Sequence, residues 1–217
     1  LVPSRVLSRQ ETLEQIPTLE DAELTGGVIY YDGQFDDARL AINLAQTVWD
    51  LGGVTANYVR VTGLLNKDGL VCGATVRDEE SGADLEIRAR CVINATGVFS
   101  DSLRRMDDPT AKNIIAASRG IHLMLPKKFV PKNAAIMVPQ TTDGRVLFAV
   151  PWHGYVVLGT TDASTEDISL EPRATEEEID FILENAARYL GTDPTRADIL
   201  SVFAALRPLV RQGKNEK

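Results

Sequence analysis

Cysteine is scarce in this chain of 217 residues: Cys72 and Cys91 stand far apart, without the paired spacing of metal ligands. Their apolar, strand-like surroundings predict buried, reduced thiols in a reducing compartment. No metal is expected. Histidine is equally rare, with His122 and His153 alone. No apolar run approaches the roughly 18 residues that span a bilayer, and no signal peptide is visible. Positive charge is outweighed: a net charge of −8 leaves no basic patch to neutralise phosphates, which argues against a nucleic-acid partner. A few local Arg or Lys residues still suffice to turn the field of a cleft toward a small anion. No internal repeat or low-complexity tract appears. No Gly-rich GxGxxG loop opens a helix, so the backbone cradle that binds a pyrophosphate is missing. The chain begins at Leu1 without Met and ends in the charged run Arg211–Lys217, as a segment of something longer would.

What is present is ordinary for a globular protein, 44% hydrophobic and 25% charged, and long enough for one large domain or two modest ones. Ser8 and Glu11 form a capping box that opens a short helix stopped by Pro17. Gly26-Gly27 precede a strand over 28–31. Asp36-Asp37 cap an amphipathic helix from about 38 to 51, whose apolar positions Leu40, Ile42, Leu44, Ala45 and Val48 fit helical spacing. Strands follow over 56–65, 71–78, 85–90 and 91–94, with Lys67-Asp68-Gly69 as a hairpin turn. The apolar run Cys91-Val92-Ile93 enters the tight turn Asn94-Ala95-Thr96-Gly97, whose small residues let a ligand approach the backbone, and then a helix. Residues 102–116 read as a polar loop. Strands over 121–125, 135–138, 146–151 and 155–159 suggest an antiparallel sheet. Thr175 caps a helix over 176–189, and a last strand runs from 199 to 206.

Four segments could carry chemistry, and each has a structural reading as well. Asp36-Asp37-Ala38-Arg39 serves to cap a helix. Ser118-Arg119-Gly120-Ile121-His122 places a cation and an imidazole beside a flexible turn; such an imidazole can take an alcohol's proton near neutral pH, or simply be a satisfied structural group. Gly159-Thr160-Thr161-Asp162 ends a strand with two hydroxyls and a carboxylate, which suit a polyol or phosphate as well as a turn. Arg207, within the apolar run Leu206-Arg207-Pro208-Leu209, calls for an anionic partner, either a ligand or a structural carboxylate.

Taken in order, YYDGQFDDARL, VINATGVFSD, SRGIHLMLP, FAVPWHGYVVLGTTD and the Arg-Pro pair of ALRPLV resemble the FAD-dependent (respiratory, aerobic-type) glycerol-3-phosphate dehydrogenases, over roughly residues 4–210. The resemblance implies a mixed α/β (α+β) fold: part of an FAD-binding domain of the glycine oxidase/D-amino-acid oxidase type, with an antiparallel-sheet substrate domain carrying helices. It divides the chain into 1–30 (substrate domain), 31–114 (FAD domain), 115–205 (substrate domain) and 206–217 (a return to the FAD domain). It implies that Ala95, Thr96 and Gly97, with Val59 or Val61, contact FAD. His122, in a motif where the family commonly has Ser at the place of Ile121, and Arg207 become catalytic candidates. Arg119, Thr160, Thr161 and Arg207 become substrate-binding candidates.

The implied reaction oxidises sn-glycerol 3-phosphate to dihydroxyacetone phosphate, with electrons passed to quinone. Peripheral attachment at the inner, cytoplasmic face of a membrane follows from the same resemblance. These residues alone, without the GxGxxG segment, are expected neither to hold FAD tightly nor to turn over. Exposed sheet edges leave homo-oligomerisation open. A related FAD-dependent amino-acid or hydroxy-acid oxidase, and a non-enzymatic binding or interaction domain, stay as alternatives.

Overall fold

The computed structural model describes residues 3–138 and 141–211. The fold is mixed α/β and forms two compact units, Leu1–Tyr31 with Ile114–Lys217, and Asp32–Asn113.

The first unit is built on a six-stranded antiparallel sheet. It contains β1 (Arg5–Ser8), α1 (Arg9–Gln15), β2 (Gly26–Ile29), β6 (Ile115–Pro126), β7 (Ile136–Val138), β8 (Leu147–Trp152), β9 (Tyr155–Gly159), β10 (Ala163–Ser164), α4 (Glu176–Ala187) and β11 (Ser201–Val210). β1 and β2 pair as a separate antiparallel ribbon. In the large sheet the order is β10-β6-β9-β8-β7, with β11 added along the other side of β6. The β8–β9 hairpin turns on His153 and Gly154, both at positive φ (45° and 87°), the combination that a two-residue turn requires.

The core lies between this sheet and α4. Ile121, Leu123 and Leu125 of β6, Leu147 of β8 and Ile182 of α4 are 0% exposed. On α4 the buried positions Ile179, Ile182, Leu183 and Ala186 follow the i, i+3, i+4, i+7 spacing of one helical stripe. Full burial of such a side chain stabilises by about 1.5–3 kcal/mol, so this stripe anchors the helix. The expected capping box of Ser8 with Glu11 forms on α1, and the expected N-cap Thr175 on α4 is completed by Glu178 into a second capping box. Asn185, fully buried on α4, accepts from the Thr142 N–H (2.8 Å) and donates to the Phe181 carbonyl (2.8 Å), so its amide holds the 141–146 turn without an orphaned polar atom.

The second unit contains α2 (Asp37–Asp50), the meander β3 (Val59–Lys67), β4 (Leu70–Asp78) and β5 (Asp84–Arg88), and α3 (Ser100–Asp107) behind a 3₁₀ turn at Gly97–Phe99. Asp36 caps α2 as expected, its carboxylate accepting from the Arg39 N–H at 3.0 Å. The apolar positions of α2 stay largely exposed: Leu40, Ile42, Leu44 and Val48 keep 39–59% exposure, and no residue of the helix is buried.

Four expectations need correction. Residues 91–94 form no strand: among the described residues no strand pairs with them, and an apolar run without a ladder partner makes no sheet. Cys91 is accordingly exposed, and Cys72 half-buried. Residues 100–107, of which 102–107 were expected in a loop, are helical, held by an Asp101–Arg104 ion pair one turn apart (2.9 Å). The strand expected to end at 206 runs to Val210 and pairs with β6 throughout, so 206–210 belong to the sheet unit rather than to a second excursion into the other. Pro208 is tolerated there because β11 is an edge strand, bonded on one side alone.

The 141–146 turn yields a pH test. The Arg145 guanidinium beside Asp143 holds its carboxyl at about 2, against the opposing effect of partial burial. A carboxylate depressed in the folded state stabilises above its unfolded pKa, and that contribution disappears as pH falls toward the folded value. Thermal melts of wild type and Asp143→Asn should therefore differ at neutral pH, with wild type the more stable, and converge between pH 4 and 2.

Candidate active site

A β-strand sends successive side chains to opposite faces, and β6 uses that alternation to separate two chemistries. Ile121, Leu123 and Leu125 enter the core under α4, while Ser118, Gly120 and His122 lie on the opposite face, Ser118 and Gly120 covered by their neighbours and His122 half-buried. The segment from Ser118 to His122 is thus mid-strand, not the flexible turn expected from its composition. Pairing carries the open face sideways. Arg207 and Phe203 of β11 stand opposite Ser118 and His122, and Gly159 of β9 stands opposite His122 on the other side.

On this face the Arg207 guanidinium is held from one edge. Its Nη2 donates to the Thr160 hydroxyl at 2.9 Å, and its Nη1 donates to the Thr161 carbonyl at 3.1 Å and to the Asp162 carboxylate at 3.4 Å. The same Asp162 oxygen accepts from the Ser118 hydroxyl. Hydrogen bonds that involve a charged group contribute about 1.5–3 kcal/mol each, whereas an exposed ion pair contributes about 0–1. Since Asp162 is half exposed, the Thr160 and Thr161 contacts dominate the placement of the cation. Arg207 itself remains 35% exposed, so an anion can still reach it.

His122 is half-buried, its ring stacked on Phe203 with centroids 5.0 Å apart and planes 14° from parallel. That contact fixes the imidazole plane. The Arg207 guanidinium reaches diagonally over Gly120, two residues from His122 on the same strand. Alternate residues of a strand lie roughly 7 Å apart. A cation and an imidazole therefore share one open face at about the length of a small polyol phosphate.

Two of the expected substrate residues lie elsewhere. Arg119 has the opposite parity and turns to the helix-covered side, where its Nε donates to Glu178 at 3.0 Å; the two side chains are 17% and 9% exposed. Thr161 is 2% exposed, and its hydroxyl is committed, accepting from the Ile121 N–H (3.1 Å) and donating to Glu178 (3.2 Å). It is the Thr161 carbonyl, not its hydroxyl, that faces Arg207. Glu178 was not foreseen as a junction of these groups; its signal was the T-x-x-E capping box, which placed it at the helix start. Asp162 and Ser118 stand in the expected motifs, but their role beside Arg207 and that of Phe203 beside His122 depend on partners distant in sequence. The second histidine, His153, serves the β8–β9 turn.

In the other unit, the turn after Ile93 brings Ala95, Thr96 and Gly97 to the surface. Thr96 donates its hydroxyl to the Asn94 side chain at 2.8 Å, and Asn94 in turn donates to the Ser100 carbonyl at 3.0 Å. Gly97 has φ +57°, and nothing lies within 4 Å of where a Cβ would stand. Val59 and Val61 sit on β3, an edge strand of the meander, paired with Asp78 and Val76. Among the described residues no group of three or more His, Cys, Asp or Glu side chains is placed to hold a metal ion.

The profile of the FAD dependent oxidoreductase family matches residues 1–215. The chain belongs to that family. It is 45% identical to a probable mitochondrial glycerol-3-phosphate dehydrogenase of Caenorhabditis elegans over 210 residues, 94% of this chain and 29% of that protein. It is 41% identical to the mitochondrial glycerol-3-phosphate dehydrogenase of Homo sapiens, over 99% of this chain and 30% of that protein. Among solved structures, the glycerol-3-phosphate dehydrogenase from Bacillus halodurans complexed with FAD superposes with a TM-score of 0.89 at 32% identity, over 95% of this chain and 42% of that one. The chain thus spans about a third of the length of the curated relatives it matches.

The residues present fit the cofactor of this FAD-dependent family at the 94–97 turn. Its backbone is unobstructed at Gly97, and Ala95 is exposed and has almost no side chain, so a planar group can lie against it.

The buried pair offers a stability test of the two-faced strand. Glu178→Gln leaves the Arg119 charge without compensation and should destabilise by about 3–5 kcal/mol in denaturant unfolding. Arg207→Ala, on the open face, should cost much less.

Proposed function

We propose that the protein carrying this chain oxidises sn-glycerol 3-phosphate to dihydroxyacetone phosphate. The observation that carries this reading is Arg207, held at one edge by Thr160, Thr161 and Asp162 on the same open sheet face as His122. Its planar fork suits the oxygens of a phosphate or of a polyol, and the similarity to glycerol-3-phosphate dehydrogenases over nearly the whole chain supports the choice of substrate.

In this reading the 32–113 unit contributes to FAD binding through Ala95, Thr96, Gly97 and the β3 backbone at Val59 and Val61. The sheet unit binds the substrate. Bound FAD supplies the two-electron acceptor for the hydride leaving C2. Arg207 binds substrate oxygens and fixes the molecule's orientation. Thr160 keeps that guanidinium in place and lines the pocket beside it. His122, its plane set by Phe203, takes the C2 hydroxyl proton or orients that hydroxyl. Loss of the proton and the hydride leaves the C2 ketone. Arg119 serves through Glu178, as a brace of the sheet, rather than by touching substrate.

Electrons then pass to a quinone, and the protein attaches peripherally to the membrane that holds it. No helix among the described residues is long and apolar enough to cross a membrane. We assign turnover to the full-length protein. Self-association through the exposed β11 edge belongs to the same proposal, and sedimentation of the full-length protein tests it.

The decisive experiment is purification of the full-length protein with assays for bound flavin and for glycerol 3-phosphate-dependent dye reduction. A yellow, active protein is expected; a colourless and inactive one, or one that oxidises amino acids instead, overturns the reading. Arg207→Ala should raise KM for glycerol 3-phosphate by about 10–100-fold, the cost of one or two charged hydrogen bonds. His122→Asn should lower kcat by about 100-fold or more, the usual contribution of a positioned acid–base group.

A further inference from the structure

We propose that Gly120 is a positioning residue, present because the Arg207 guanidinium lies on the bare β6 backbone at that point. This rests on the assignment of Arg207 to substrate binding. An ideal Cβ placed on Gly120 would stand 2.2 Å from Arg207 Nη2 and 2.6 Å from both its Cζ and its Nη1. All three of the nearest atoms belong to the guanidinium, and none to backbone. The whole planar head of Arg207 therefore occupies the space that any other residue's side chain would fill.

The contrast with Gly159 sharpens the point. A Cβ there would meet the Ile121 carbonyl oxygen at 2.8 Å as well as the His122 ring at 2.6 Å, so that position is closed by backbone too. At Gly120 the obstruction is the far end of a flexible side chain, which can swing away. The strand itself would accept alanine: Gly120 has no positive φ, and its pairing with Ala205 is regular. What would be lost is the cation's place. A guanidinium pushed off the backbone by a methyl group cannot keep its bonds to Thr160 Oγ1 at 2.9 Å and to the Thr161 carbonyl at 3.1 Å. Gly120 thus acts through Arg207, by leaving room for it.

The test is a double-mutant cycle in the full-length flavoprotein: wild type, Gly120→Ala, Arg207→Ala and the double variant. Each is assayed for thermal midpoint and for KM and kcat with glycerol 3-phosphate. Gly120→Ala should melt close to wild type and raise KM by about 10-fold or more, with kcat changed much less, as expected when a binding cation is misplaced. In the Arg207→Ala background, where the space is empty, Gly120→Ala should add nothing to KM. An effect of equal size in both backgrounds, or no effect in wild type, overturns the proposal. A wild type without activity toward glycerol 3-phosphate defeats the functional reading alone. A crystal structure of Gly120→Ala then decides the role of Gly120: a guanidinium displaced from Thr160 supports it, and one still bonded there overturns it.

Discussion

The pairing of Ile115–Pro126 with strands on both of its sides holds the sheet unit together, and the two-residue period of that strand decides what each side chain can do. Once Ile121, Leu123 and Leu125 are committed to the core beneath α4, Ser118, Gly120 and His122 must face the other way. Every lateral neighbour inherits the same parity. β11 therefore brings Phe203 and Arg207 to the open face, and β9 brings Gly159. A one-residue shift of β11 would turn Arg207 toward the core side and Leu206 away from it, so register and chemistry are fixed together.

The two arginines show how environment assigns roles. Arg119 and Arg207 are both close to β6 and both bonded to oxygen, yet one is a buried brace and the other a half-exposed cation. Arg119 meets a full carboxylate, and Glu178 is itself saturated by Thr161 and by the Thr175 N–H. The Arg119 Nε is thus committed to that carboxylate. Arg207 meets a hydroxyl, a carbonyl and a half-exposed carboxylate at 3.4 Å. Much of its charge stays available.

Much of this was legible in the sequence where the signals are short-range. The capping box at Ser8, the Thr175 and Asp36 caps and the His153-Gly154 turn each depend on residues within a turn of one another, and each formed as expected. Most strands of the large sheet were visible from their apolar runs. What could not be read was parity and partnership. Ser118-Arg119-Gly120 looks like a turn because its polarity is explained only by groups distant in sequence, namely Asp162, Glu178 and Arg207. With the strand begun at Ile121, nothing assigned Arg119 to the core side. Cys91-Val92-Ile93 misled in the opposite sense, because an apolar run predicts a strand only where another strand meets it.

The split between the faces of β6 also bears on how such a scaffold can change over time. Stability is vested in odd-numbered positions from 119 to 125 and in the helix above them, while the recognition proposed for this strand falls to even-numbered ones and to their neighbours across the ladder. Substitutions on the open face can accumulate without taxing the folding of the sheet, except where backbone closes the position, as at Gly159. The same strand can thus be refitted for other small molecules by exchanging a handful of outward residues, each drawn from a separate segment of the chain.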